Sequence, residues 1–565
     1  MAVDLSSTAQ IREGLLQKFE HNELAEEQLL TECINLCKNF HISPEELYYK
    51  WEAIKYNSSG PSITIFTADS VKQIKVKIQR DALNEQTKQK PRAQLNGTMS
   101  RGKGPVPGLS SRVGTPMKKH WSGTVPAPSA SAAVAGPSRV KFVGPSNDPE
   151  AVKKRAYRYM YEKISERSEV LDDRIDEFAE LVRAHYSIPE FGDPASSTDE
   201  DTTVVGRIVP DIESAAPKLT DASVALESSK LMGSGARVPL RFDASLKLTG
   251  AGAVGLFPGA IVALKGKNGG GGYFLVNEIL SLPPLKPRPV VPAGGDSSAS
   301  VWIACGPYTS DADLGYRPLA SLLAKAKSTK PAALVLLGPF IDATHPLIKS
   351  GLSSSTPTQL FHTHFLTPLT AFLASSPDSL VLLVPSTKDI LSSHPVFPQR
   401  ELGAELASDP RIHLLPNPAV FSLDGVAFGV STVDVLFHLR KEELVKRDLT
   451  STAEYDSMAS LCRHVLQQRS FYPLFPVPSD LSHDVNLDVS HSDGLRIYPD
   501  TQDPFSPDVL ILPSRLKHFS KVVDDSVAIN PSFLTKGIYA EVTLPARRTE
   551  SLKMDVVVEL VKLDS

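Results

Sequence analysis

Seven short, nearly uninterrupted apolar runs mark the second half of the chain: "VWIAC", "ALVLL", "LVLLV", "RIHLL", "VAFGV", "DVLIL" and "DVVVEL". Without the polar alternation of a half-exposed strand, such runs predict strands buried on both faces of a sheet. Segments with helical spacing, such as "YRPLASLLAKAK" and "PTQLFHTHFLTPLTAFLA", lie between several of them. The expectation is an α/β domain over 291–565, with its chemistry, if any, at the strand ends.

A chain of 565 residues is long enough for two or three folded units. Residues 1–80 predict a small helical domain. In "EEQLLTECINLCKNF" Leu29, Leu30, Cys33, Ile34, Cys37 and Phe40 recur at helical spacing. A second helix is punctuated by Ser43 as N-cap, Pro44 at the first helical position and Glu46 closing a capping box, with Leu47, Trp51 and Ile54 on one face. Cys33 and Cys37 share an i, i+4 face, but no matching pair accompanies them, so packing accounts for them.

Residues 81–149 shift to Pro, Gly, Ser, Ala and Lys, a composition that buries too little apolar area to offset chain entropy, and predict a disordered linker. Within it "TPMKK" places Thr115 in the S/T-P-x-K pattern of cyclin-dependent kinase substrates, making Thr115 the candidate phosphorylation site. Residues 150–198 return to a helical lead-in with Leu171, Ile175, Phe178 and Leu181 as its apolar stripe. Its "KKRAYRYMY" start mixes cations with aromatics, a pattern read as a solvated basic face because acidic residues follow. Over 199–290, short apolar or alternating runs separated by Gly, Pro and Asn predict a small β-barrel. "GKNGGGG" lacks the Ser or Thr that must follow the lysine of a phosphate loop, and reads as a hairpin tip.

Net charge is −4 with 22% charged residues, which argues against the phosphate backbone of nucleic acid as main partner. Four cysteines without a C-x-x-C pair describe neither a disulfide framework nor a zinc knuckle. The first residues have no continuous apolar stretch of a secretory signal, and no run approaches the ~18 apolar residues of a membrane span.

Two-metal hydrolysis needs several carboxylate, imidazole and amide ligands converging from strand ends, with an anionic bridge between the ions. Calcineurin-like phosphoesterases supply D-x-H, G-D-x-x-D, G-N-H-D/E, a lone His and G-H-x-H. This chain has strand-loop segments in the corresponding order with other residues in them. "VWIA" is followed by Cys305, Gly306 and Pro307; "ALVLL" by Gly338, Pro339, Phe340, Ile341 and Asp342; "LVLLV" by "PSTKD"; and "DVLIL" by "PSRLKHF". Pro339 at the bridging position offers no side-chain ligand. Asp342, His345 and Asp389 are the remaining candidate group, read as local loop bonding and capping. His362 and His364 are two apart on a helical pattern and point to different faces. "SHDVNLDVSHSDG" (His483, Asp484, Asp488, His491, Asp493) is the other candidate metal loop, its spacing matching no motif, and is read as a solvated surface loop. Neither G-x-S-x-G nor H-E-x-x-H occurs. The expectation is no catalytic residue, no metal and no cofactor.

The blocks "VWIACGPYTSDADLGYRPL", "LLGPFIDATHPLI", "LLVPSTKDILSSHPVFPQ", "NPAVFSLDGVAFGVSTVDVLFHL", "LQQRSFYPLFP" and "PDVLILPSRLKHFSKVV", with "VVGRI" and "LFPGAIVALKGKN" upstream, resemble the B-subunit family of DNA polymerase alpha-primase. The resemblance implies a multidomain α+β protein: an N-terminal helical domain, an OB-fold barrel and an inactivated calcineurin-like phosphoesterase domain. It implies a non-catalytic, nuclear accessory subunit that clamps the C-terminal region of the polymerase catalytic subunit. Primase subunits would be reached through the complex and replication factors through the N-terminal domain, with weak or indirect DNA contact and no membrane. The alternative is a divergent metal-dependent phosphoesterase or nuclease. The barrel region carries only Phe242, Phe257, Tyr273 and Phe274 as aromatics and balanced charge, which favours packing against protein over stacking bases.

Overall fold

The computed structural model describes residues 8–19, 27–40, 42–57, 71, 74, 139–211, 218–250, 252–288, 298–407, 409–447, 455–498, 505–545 and 556–563. They fall into two units, divided after Ser122. Thr115 and Phe40's side chain lie outside the described set, as does the side chain of Ile54.

In the first unit three helices, α1 (Thr8–Lys18), α2 (Glu27–Phe40) and α3 (Pro44–Asn57), enclose a core. Ile11, Leu15, Leu30, Cys33, Cys37, Leu47 and Trp51 are buried in it. Ser43 Oγ accepts the Glu46 N–H at 3.1 Å, satisfying a donor that the start of α3 leaves free. Cys37 is packed as a side chain of the core, and burial pushes its thiol up to about 11.

The second unit begins with an edge strand. β1 (Phe142–Val143) pairs antiparallel with Leu423 and Ser422, while Val140 is buried and the Lys141 N–H donates to Asp424 at 2.8 Å. The segment 139–149, assigned by composition to the linker, is therefore part of the folded unit. Two apolar residues suffice when the strand they join supplies the ladder. The expected continuous helix after it is also broken: α4 (Pro149–Arg155) and α5 (Ile164–Tyr186) are separated by a non-helical stretch. That stretch is pinned by Tyr157, whose hydroxyl donates to Pro398 O and whose ring stacks on His491 at 3.7 Å. Tyr157 serves packing there, while Lys153 and Lys154 are exposed on α4, so the solvated basic face expected from the pattern is present but confined to that short helix.

β2 (Thr202–Pro210), β3 (Val224–Glu227), β4 (Arg237–Thr249), β6 (Ile261–Lys267) and β7 (Phe274–Leu280) close a barrel in the order β2-β3-β4-β7-β6. All neighbours are antiparallel except β4 and β7. The glycine-rich segment is the tip of the β6–β7 hairpin, where Asn268 is buried and donates to Pro194 O at 3.0 Å. β5 (Ala253–Leu256) leaves the barrel and pairs with a strand from the α/β region described next.

Two six-stranded sheets follow. In the first, β8 (Ala299–Cys305), β9 (Ala333–Leu337), β10 (Leu380–Val384) and β11 (Ile412–Leu414) are parallel, with β18 (Ile538–Leu544) and β19 (Val557–Lys562) antiparallel beyond β8. The second runs β1-β12-β13-β15-β17-β16, from β12 (Ala419–Leu423) and β13 (Val426–Val430) to β15 (Val509–Ile511), β16 (Phe519–Val523) and β17 (Ser526–Asn530). β14 (Leu444–Arg447) is the partner of β5.

Strand alternation sorts the apolar runs into layers. Val301, Ile303, Val335, Leu337 and Leu382 meet Phe428, Ile511 and Ile529 between the sheets. Trp302, Leu334, Leu336 and Leu383 face outward and are covered by α6 (Arg317–Thr329), α7 (Pro357–Phe361) and α8 (Thr367–Ser375). Between α7 and α8, His362–Leu366 forms a π turn. Pro368 has no N–H for His364 O, and the Thr367 N–H reaches His362 O instead. On the other side, α9 (Val435–Glu442) and α10 (Ser457–Gln467) join Leu510 and Ala528 in one core that continues into the barrel through Val204, Leu264 and Phe274. The barrel is also bolted on by polar contacts. The Gln468 amide exchanges hydrogen bonds of 3.0 and 2.9 Å with the Ile261 backbone. A Cβ at Gly259, where φ is +95°, would lie 2.4 Å from Phe475 N.

Candidate functional site

The tips of β8, β9 and β10 come together without space between them. A Cβ at Gly306 would fall 2.2 Å from Pro339 O, and one at Gly338 would fall 2.3 Å from Asp389 Oδ2 and 2.7 Å from Ser386 N. Glycine is required at both because backbone approaches backbone. Below this contact Tyr308 stacks on Phe340 at 5.9 Å, and its hydroxyl lies 3.0 and 2.9 Å from Ala304 O and Leu337 O. Cys305 is buried beside them, which holds its thiol far above the ordinary range.

Asp389 ties these loops. Its Oδ1 accepts the N–H groups of Phe340 and, at 3.0 Å, Ile341; Oδ2 accepts that of Ser386 at 2.8 Å. Burial raises its carboxyl to about 7, against the opposing effect of those donors. Asp342 turns back on Thr344, accepting its N–H at 2.8 Å and its hydroxyl at 2.7 Å. His345 caps a short helix through the Leu347 N–H at 3.2 Å, with Nε2 2.9 Å from Ser310 O. The three candidate residues thus sit in one loop region, each side chain engaged with local loop groups. His362 is exposed and His364 stacks on Tyr316 at 4.7 Å. Among the described residues, no group of three or more His, Cys, Asp or Glu side chains is arranged to hold a metal ion.

The second candidate loop is not the solvated surface loop expected from its polarity. Asp484 and Asp488 are both buried, and charged partners from elsewhere in the fold enclose Asp484. Asp484 receives Lys388 Nζ at 2.8 Å on Oδ1 and Arg515 Nη2 at 2.8 Å on Oδ2, with His438 Nε2 3.6 Å away. Contact with His438, Lys388 and Arg515 outweighs burial and holds its carboxyl well below the usual range. Arg515 also donates its backbone N–H and Nε to Asp434 Oδ2 at 2.9 and 3.0 Å, while Asp434 Oδ1 caps α9 through the Phe437 N–H. His438 is fully buried with Nδ1 2.8 Å from the Tyr472 hydroxyl. Asp488 pairs with His491 at 3.1 Å, Asp493 with Arg496 at 3.0 Å, and His483 is exposed 3.7 Å from Asp484.

Lys388 follows β10 of the first sheet; Asp434 and Arg515 follow β13 and β15 of the second. Two tethered cations and two carboxylates therefore bridge the tips of both sheets. Lys388, Asp434, His438 and Arg515 carry no local motif that would mark them in sequence. Of the barrel aromatics, Phe257 and Phe274 are core residues, Phe242 lies under the Lys446 ammonium at 3.9 Å, and Tyr273 is exposed at the hairpin tip. Among the described residues no helix is long and apolar enough to cross a membrane.

Comparison with known proteins covers most of this unit. The family described as the B-subunit of DNA polymerases alpha and epsilon matches residues 301–521, and that described as the OB domain of the DNA polymerase alpha B-subunit matches 168–282. The DNA polymerase alpha B-subunit of Schizosaccharomyces pombe is 37% identical over 395 residues, covering 68% of this chain and 66% of that protein. The Saccharomyces cerevisiae protein of the same description is 33% identical over 455 residues, covering 72% and 63%. That of Bos taurus is 32% identical over 392 residues, covering 69% and 60%. The matches thus span less than two thirds of the length of these relatives.

Proposed function

Because the chain belongs to the B-subunit family of DNA polymerase alpha, we propose that it is a non-catalytic accessory subunit of DNA polymerase alpha-primase. In this reading it clamps the C-terminal region of the polymerase catalytic subunit and supports primer synthesis at the initiation of replication, in the nucleus. Primase subunits join through the complex.

The observation that carries the non-catalytic reading is the state of the strand tips. Two sheets face to face with helices outside suit a calcineurin-like phosphoesterase layout, and the positions that supply its ligands hold other chemistry here. Pro339 has no donor atom in its side chain. The Asp389 carboxylate is taken up by three backbone N–H groups. Lys388 and Arg515 put fixed positive charge on Asp484, and a cation entering there meets repulsion in place of ligands. The single core running from barrel to α/β domain supports the clamp, because it gives one rigid surface to a partner.

The test is association of the full chain with the isolated C-terminal region of the catalytic subunit. A stable equimolar complex on gel filtration is expected; separate elution at micromolar concentrations would contradict the reading. For the first unit we propose docking of replication factors, and for Thr115 phosphorylation in dividing cells. Mass spectrometry finding Thr115 bare throughout S and G2 phases would dispose of the latter.

A further inference from the structure

A cleft opens where α5, the barrel and the 470–495 segment meet. It is small, about 40 Å³, and its apolar walls include Leu171, Ile261, Leu474, Leu487 and Leu495. Arg174 and Arg207 also line it. Arg207 is matched, its Nη2 2.6 Å from Glu227. Arg174 is not. Its Nη2 donates to Gln468 O, and no carboxylate among the described residues comes within ion-pairing distance. The nearby Glu177 is held by Arg496 at 2.9 Å.

A second guanidinium, outside the cleft lining, approaches the same aromatic ring as Arg174. Arg469 and Arg174 approach the Phe178 ring at 5.9 and 5.3 Å, and Arg469 Nε is buried without a hydrogen-bond partner. Burial, together with Arg496 and Arg469, pushes Arg174 down to about 10. A desolvated cation without an anion is unfavourable, and its usual completion is a ligand of opposite charge. The apolar walls add a requirement, since they reward an apolar group beside that charge.

We propose that this cleft docks a polypeptide segment in which a carboxylate adjoins a bulky apolar side chain. The segment belongs to the catalytic subunit held by this chain, so its source rests on the proposed function. Nucleic acid fits less well: the Phe475 face is covered by Arg207 at 5.5 Å, and the Tyr472 hydroxyl is bound to His438. No free aromatic platform is left for a base.

The full chain and its Arg174→Met and Arg469→Gln variants test this in two arms. In the first, calorimetry with the catalytic subunit's C-terminal region should show at least tenfold weaker binding by Arg174→Met and a smaller loss by Arg469→Gln, which lies outside the cleft lining. Thermal midpoints of the free variants should stay level or rise, since each removes a partly buried cation that has no carboxylate within ion-pairing distance among the described residues. Unchanged affinity, or melting that falls in step with binding, would overturn the proposal. In the second, saturation-transfer NMR with N-acetyl-leucyl-glutamate should light the leucine methyls with the wild-type chain and not with Arg174→Met. Equal transfer to both, or displacement of the dipeptide by inorganic phosphate or single-stranded DNA, would count against a peptide site. If the dipeptide binds as described and the catalytic subunit does not bind the wild-type chain, the cleft stands and the proposed function fails.

Discussion

Lys388 Nζ lies 2.8 Å from Asp484 Oδ1, joining the tip of the first sheet to a loop that Arg515 joins to the second. Replacing Asp484 by Asn leaves both cations without their shared anion. The partners are partly exposed, with side-chain accessibilities of 33% and 40%, so solvent recovers part of the loss. The expected cost is about 1 to 3 kcal/mol at neutral pH, read as a lower urea midpoint. The depressed carboxyl fixes the pH dependence: its contribution is complete above about pH 4, the unfolded value, and declines as pH falls toward the folded one. An Asp484→Asn defect that persists undiminished in strong acid would show that the charge is not responsible.

Asp389 has the opposite sign. Its folded carboxyl is raised to about 7, so its contribution is complete below about pH 4 and is lost as pH rises through 7. The wild-type chain should therefore lose stability between those values more steeply than Asp389→Asn. Parallel denaturation curves across that range would exclude Asp389 as the source.

Gly338 is confined by Asp389 and Ser386, whereas nothing lies within 4 Å of a Cβ at Gly269. Gly338→Ala should cost about 1 to 3 kcal/mol or more, because backbone atoms must move, and Gly269→Ala should stay within about 0.5 kcal/mol of wild type. Equal effects at both sites would mean that the loops yield more easily than their packing indicates.

The parts of this fold legible in sequence are those governed by local pattern. β8, β9 and β10 could be read because residues such as Val301 and Trp302 are buried on opposite faces, which leaves no polar position to interrupt the run. The α3 start could be read because Ser43 and Pro44 act within one turn. β1 and β14 were missed: each is four residues or fewer, and each takes its ladder from a distant partner. The absence of the expected ligand residues was visible, but not what replaced them. Lys388, Asp434, Asp484 and Arg515 come from separate loops, and only tertiary structure unites them.

The position of β1 predicts where the chain can be cut. Residues 139–565 should match the full chain's second unit in thermal midpoint, while 150–565 should melt earlier and aggregate, having lost Val140 from the core and exposed the β12 edge. Identical melting of the two fragments would show β1 to be dispensable.

The central claim, that tethered charges and close backbone packing occupy the strand tips, is tested most directly by metal content. The purified chain, equilibrated with Mn²⁺ and desalted, should carry far less than one ion per molecule. Two tightly held ions per chain, with phosphodiester turnover lost in Asp342→Ala, would contradict it.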